Sequence, residues 1–168
     1  MPKLYIMCGL PFSGKTSFAK KLEEKKGWER VDIDEIKSES GFEGVSDDDV
    51  SHEEWVKMFT NMFDRIRKSL NKGKTVISDI SNLEKSDRDR LRKVAEEGNF
   101  PTVVVYLNTP VDIARKRWLT NKAKKLRFDL TEKIFEEACS SLQVPTEEEN
   151  LIVLDYNEPV ERWLARFD

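Results

Sequence analysis

Between residues 9 and 16 the chain reads Gly9-Leu10-Pro11-Phe12-Ser13-Gly14-Lys15-Thr16. Glycine, four residues, then Gly-Lys-Thr is the spacing that wraps backbone around a phosphate. Two glycines let the chain approach without a side chain in the way, and successive N–H groups turn inward as an anion nest at a helix N-terminus. Lys15 is a mobile charge for the β- and γ-phosphates, and the Thr16 hydroxyl is a hard oxygen for Mg²⁺. The candidate contacts to a bound nucleoside triphosphate are Gly9, Pro11, Phe12, Ser13, Gly14, Lys15, Thr16 and Ser17. Two more acids have the right setting. Asp79 ends the β-branched run Thr75-Val76-Ile77-Ser78, where a carboxylate can hold Mg²⁺ or its waters beside the phosphate loop. Asp34 falls at the expected end of a second strand, the place where parallel α/β sheets put their ligands, with Asp32 one strand step earlier.

These groups need a scaffold that brings strand ends together. The run Leu4-Tyr5-Ile6-Met7-Cys8 predicts a central strand covered on both faces. A helix over 15–26 follows, with Phe18, Ala19 and Leu22 inward and Gly27 at its end. Residues 28–34 alternate as an edge strand would. The acidic stretch 38–50 reads as a loop or short helix, and its three aspartates as a solvated surface. Ser51 then opens a long helix to about Asn71, whose stripe of Trp55, Met58, Phe59, Met62, Phe63, Ile66 and Leu70 predicts core. His52, the one histidine, sits at that helix start as an exposed residue.

After Asp79 the pattern repeats. A helix from about Ser86 to Gly98 buries Leu91, Val94 and Ala95, and 100–107 is a buried strand. Pro110 opens a helix carrying Ile113, Ala114, Trp118 and Leu119, with Trp118 expected in the core. The most basic segment follows: Arg115, Lys116, Arg117, Lys122, Lys124, Lys125 and Arg127. A basic helical lid over 115–130 suits a triphosphate, and a solvated face suits the same residues. Asp129-Leu130-Thr131-Glu132 has capping-box spacing for a further helix. A loop at 145–150, a last strand at 151–154 and a closing helix capped by Asn157 complete the chain. Five strand candidates alternating with helices predict an α/β sandwich around a parallel sheet.

Length and composition fit this picture. The 168 residues suit one domain over 1–168. A net charge of −3 argues against a protein that coats nucleic acid through a broad basic face. Two cysteines make no disulfide framework, and Cys8 reads as a small buried residue. No stretch approaches the ~20 apolar residues that span a bilayer, so the expectation is a reduced cytoplasmic protein. The sequence sets no oligomeric state.

With these residues assembled, the chain resembles the small P-loop kinases grouped around the kinase domain of phage polynucleotide kinase. The resemblance runs over nearly the whole length. It rests on Cys8-Gly9-Leu10-Pro11 leading into Ser13-Gly14-Lys15-Thr16, on Asp34, and on Val76-Ile77-Ser78-Asp79-Ile80-Ser81-Asn82-Leu83. The lid arginines and Pro145-Thr146-Glu147-Glu148 complete it. Ser81 stands where those kinases usually carry threonine, which keeps the hydroxyl. The resemblance implies a P-loop NTPase three-layer αβα sandwich with strand order 2-3-1-4-5 and a helical lid. It implies ATP and Mg²⁺ as cofactors, and Asp34 as the group that orients or deprotonates an acceptor hydroxyl, with Asp32 a rival for that role. It also implies that one or more of Arg115, Arg117 and Arg127 clamp the phosphates, with Arg117 and Arg127 taken beside Lys15 and Asp34 as the catalytic set.

The implied activity is transfer of the γ-phosphate of ATP to a hydroxyl, either the 5′-hydroxyl of a nucleic acid or that of a nucleoside or other small metabolite. Two other classes stay open: an ATP-hydrolysing switch, and a nucleic-acid-binding module that uses ATP structurally. A GTPase is disfavoured. Asn121-Lys122-Ala123-Lys124 has lysine where a guanine-reading motif needs aspartate, and Asn82 stands where a glycine should follow Asp79.

Overall fold

The apolar run at 4–8 is β1 (Leu4–Cys8), and in the computed structural model it lies at the centre of the sheet, every residue buried. The structure describes residues 1–125 and 129–168. The other strands are β2 (Glu29–Asp32), β3 (Val76–Asp79), β4 (Thr102–Asn108) and β5 (Leu151–Asp155). All pairings are parallel and the order is β2-β3-β1-β4-β5, as the resemblance implied. Leu4 sits between Val76 and Thr102, so β1 has a neighbour on each edge and β2 lies at the rim.

Successive residues of a strand face opposite sides, so β1 feeds two cores. Leu4, Ile6 and Cys8 face α3 (His52–Asn71) and α4 (Lys85–Glu96), packing among Met58, Met62, Ile66, Leu91 and Ala95. Tyr5 and Met7 face α1 (Lys15–Lys26) and α7 (Val160–Leu164), among Phe18, Leu22, Trp163 and Phe167. A third cluster joins the phosphate loop to α5 (Val111–Lys124) and α6 (Glu132–Ser141). In it, Leu10 and Phe12 are buried with Ala114, Trp118 and Phe135. Trp118 stacks on Phe135 with centroids 4.8 Å apart, so it is core, as expected.

Three sequence expectations are corrected. The strand expected over 28–34 ends at Asp32, because the Asp32 carboxylate accepts from the Asp34 N–H at 2.8 Å and caps α2 (Ile33–Lys37). Asp34 therefore lies in the first turn of a helix, and Asp32 is not one strand step from it on a shared face. Asp129 does not cap α6; Thr131 does, accepting from the Ile134 N–H, while Asp129 accepts from the Trp118 indole at 3.1 Å. Asn157 does not cap α7, where Pro159 holds the N-cap position.

Two of the expected loops hold short turns. The stretch 38–50 is a π turn at Ser38–Phe42 and a 3-10 turn at Asp47–Asp49. The 145–150 loop holds a 3-10 turn at Glu147–Glu149. No described helix is long and apolar enough to cross a membrane.

Candidate active site

The phosphate loop is pinned from below by backbone and amide contacts. The Gly9 N–H donates to Ser81 O at 3.1 Å, and the Asn82 side-chain amide donates to Met7 O at 2.7 Å. Ser81 and Asn82 thus act here as supports of the loop. A Cβ at Gly9 would lie 3.1 Å from the Leu107 carbonyl oxygen, which is backbone and cannot yield. Gly14 precedes α1 with φ +98°, a conformation side chains rarely adopt. From the other side the Thr109 hydroxyl donates to Ser13 O at 3.3 Å and the Arg117 guanidinium to Phe12 O at 3.2 Å. Phe12 itself has φ +63° and is buried in the α5–α6 cluster, which holds that strained backbone in place.

Lys15 is buried, with its ammonium donating to Gly9 O at 2.9 Å and Leu10 O at 2.7 Å. Beside it the Thr16 hydroxyl donates to Asp79 Oδ1 at 3.2 Å. The hydroxyl and carboxylate so paired are hard oxygen donors at the mouth of an anion nest. That set fits Mg²⁺, which takes one or two protein oxygens and completes its shell with water and phosphate. Among the described residues no cluster of three or more His, Cys, Asp or Glu forms a self-sufficient metal cage.

The second oxygen of Asp79 meets a residue that the sequence reading passed over. Arg30, on β2, donates to Asp79 Oδ2 at 3.1 Å and to Asp32 Oδ2 at 2.6 Å, and it also pairs with Glu35. Arg30, Asp32 and Asp79 are all nearly excluded from solvent. Burial pushes the Asp79 carboxyl above its ordinary pKa and the Asp32 charge adds to that, while Arg30 and Lys15 pull the other way. Strand periodicity could have found Arg30, since Arg30 and Asp32 are two residues apart on one strand and Asp32 pairs in register with Asp79.

Two clefts open on either side of the loop, and Phe12, Gly14 and neighbours line both. One, of about 380 Å³, contains Lys15, Thr16, Asp34 and Asp79, and is walled by α3 and α6. The other, of about 420 Å³, is lined by Ser17, Lys21, Arg117, Tyr156, Glu158 and Trp163. The fold thus brings Lys15, Thr16, Asp34 and Asp79 together in one cleft and sets Arg117 at the other. Arg115 is turned onto α6, where it pairs with Glu136 and lies over Phe135. Arg127 lies outside the described residues. Pro11 lines the first cleft and Ser17 the second.

The sequence profile of the AAA domain family (AAA_33) matches residues 4–145. The chain belongs to this family. Among curated relatives of this AAA domain is the L-seryl-tRNA(Sec) kinase of Methanococcus maripaludis, 26% identical over 134 residues. The match covers 80% of this chain and 51% of that kinase, so the chain spans about half the length of the curated relative it matches. Solved structures share the fold over 99% of the chain. They include a sugar kinase from Janibacter sp. HTCC2649, 19% identical with a TM-score of 0.75 over 92% of its length. A gluconokinase from Sinorhizobium meliloti 1021 is 19% identical with a TM-score of 0.69 over 93% of its length. The APS kinase CysC of Mycobacterium tuberculosis, solved with AMPPNP and APS, is 18% identical with a TM-score of 0.70 over 95%. The AAA domain described here therefore has the fold of P-loop kinases.

Proposed function

We propose that this P-loop kinase domain is an ATP- and Mg²⁺-dependent phosphotransferase that moves the γ-phosphoryl group to a hydroxyl. The observation that carries the reading is one cleft in which Lys15, the Thr16–Asp79 pair and the Asp34 carboxylate all line the same space. The nucleoside end of ATP fits the opposite cleft beside Arg117, so the triphosphate crosses the loop from one cleft to the other.

Phosphoryl transfer asks a protein chiefly for position and charge. The loop N–H groups and Lys15 hold the phosphates. Thr16 and Asp79 would hold Mg²⁺, which would supply positive charge against the phosphates. Asp34 accepts a hydrogen bond from the acceptor hydroxyl and orients it in line with the γ-phosphorus. As the new P–O bond forms and the bond to the β-phosphate oxygen breaks, the hydroxyl proton passes to the Asp34 carboxylate and ADP leaves.

The test follows labelled γ-phosphate from ATP onto hydroxyl acceptors, 5′-hydroxyl oligonucleotides and small molecules alike. Asp34→Asn is expected to abolish transfer by about 10²- to 10⁴-fold while ATP binding, read by calorimetry, is retained. Full transfer by Asp34→Asn would remove that residue from the mechanism. Free phosphate released at the same rate with and without every acceptor would mark a hydrolytic switch instead.

A further inference from the structure

Away from the phosphate loop the first cleft changes character. Trp55 and Phe59 of α3 form one wall, Ile80 and Leu83 another, and Leu130 and Ile134 the side toward α6. The Trp55 indole N–H donates to Asp47 O at 3.3 Å, and the Lys37 ammonium lies over the ring, 5.9 Å from its centroid. The Trp55 and Phe59 rings are 6.0 Å apart, tilted by 38°, and Phe59 continues to Phe63 at 6.2 Å. A smaller chamber of about 160 Å³ adjoins and shares Phe59, Ile80, Ser81 and Leu83. Among the described residues, Lys15 is the one cation in the lining of the larger chamber. Lys37, close by, is occupied by Val45 O and by Asp47 Oδ1 at 2.7 Å.

We propose that the acceptor is an uncharged, ring-bearing alcohol of nucleoside size, its ring against Trp55 and Phe59 and its hydroxyl at Asp34. This rests on the phosphotransfer reading above. A base stacked on an aromatic side chain gains about 1–3 kcal/mol irrespective of which base it is. A sugar acid or the phosphates of a polynucleotide would instead enter a space lined by Asp34, Asp47 and Asp79, where Lys15 serves the ATP phosphates and Arg90, over the Phe59 ring, is paired with Asp87, and burying a further anion beside those carboxylates is costly. The larger chamber falls in the range of small-molecule sites, with an apolar wall from Trp55, Phe59, Ile80 and Ile134 facing the polar groups of Lys15, Thr16, Asp34 and Asp79. The transfer is balanced: the alcohol oxygen gains the γ-phosphoryl group, ADP leaves, and the alcohol proton goes to Asp34 and then to solvent.

The experiment offers the enzyme labelled ATP and Mg²⁺ with three acceptor sets: uncharged ribo- and deoxyribonucleosides, gluconate, and a 5′-hydroxyl oligonucleotide. ATP binding is measured separately by calorimetry. Label is expected on a nucleoside. Phe59→Leu, which keeps an apolar side chain and removes the ring, should raise the KM for that acceptor about tenfold and leave ATP affinity unchanged. A melting curve confirms that the variant is folded, and Trp55→Phe should be milder because a ring remains. Label on gluconate or the oligonucleotide alone would overturn the acceptor class while leaving the kinase reading intact. Label on no acceptor, with ATP bound, would also overturn it, and steady phosphate release in that case would count against the kinase reading as well.

Discussion

The Lys15 ammonium donates to neutral oxygens, Gly9 O, Leu10 O and Ser13 Oγ among them. A triphosphate offers it anionic oxygens instead, and charge-assisted hydrogen bonds are roughly twice as strong. Lys15→Ala should therefore lower transfer by about 10²- to 10³-fold in a labelled-ATP assay. Arg30 carries a different load. Without it, Asp32 and Asp79 would face one another in a space that excludes water, and Thr16 would keep its contact to a carboxyl pushed further from ionisation. Arg30→Met should cost about 3 kcal/mol in urea unfolding, with Arg30→Lys recovering part of the loss. The phosphate-loop residues and Asp79 were legible in the sequence because motif spacing encodes them. Arg30 was missed, since it lies outside any motif, and its one sign in the sequence was its place two residues before Asp32 on an alternating strand.

At the scale of elements, α4 is tied to the segment before β5 by a buried ion pair. Arg88 donates to both Glu149 oxygens at 2.9 Å, and Arg92 joins from the next turn. Both Arg88 and Glu149 are buried. Burial works against the Glu149 charge, but the two guanidinium groups outweigh it and hold the carboxyl down at about 2. A depressed carboxylate stabilises the fold fully above its unfolded pKa of 4.5 and loses that contribution as pH falls toward about 2. Denaturation at pH 7 and pH 3 should differ by about 2 kcal/mol from this group, and Glu149→Gln should flatten the difference. Nothing in the local sequence announced this pair, because its members are 61 residues apart and each reads as a surface charge. The bounds of α1 and α3, by contrast, were plain from periodicity, Gly27 and Ser51. The end of β2 was missed because a carboxylate at a strand end is equally a helix cap, and the cap prevailed.

The whole molecule sets the clefts by topology. With β1 at the centre, the carboxyl ends of β1, β2 and β3 converge, and Gly9, Asp34 and Asp79 come from three separate parts of the chain. Alternating strands and helices made the α/β class legible. The order β2-β3-β1-β4-β5 came only from resemblance, since spacing does not say which strands are neighbours. A ligand that binds only the assembled protein raises its stability by mass action, by about 2.7 kcal/mol at a hundredfold excess over Kd. Saturating ATP and Mg²⁺ should therefore raise Tm by about 5–10 °C. Asp34→Asn should keep the shift and Lys15→Ala should lose most of it, which separates binding from transfer in one thermal scan.

Because β1 lies between β3 and β4, the phosphate loop cannot be assembled from its own neighbourhood. Its floor is fixed by Asn82, 75 residues beyond Met7, and its outer wall by Thr109, 96 residues beyond Ser13. On the ribosome the motif emerges ahead of these partners, and the loop is complete only after β4 and Thr109 have followed it out. Nascent chains stalled before Asn82 has emerged should not retain an ATP analogue, and chains exposed through residue 168 should. Long-range parallel pairing is slow to form, so during that interval the apolar β1 segment is the natural target for a holding chaperone.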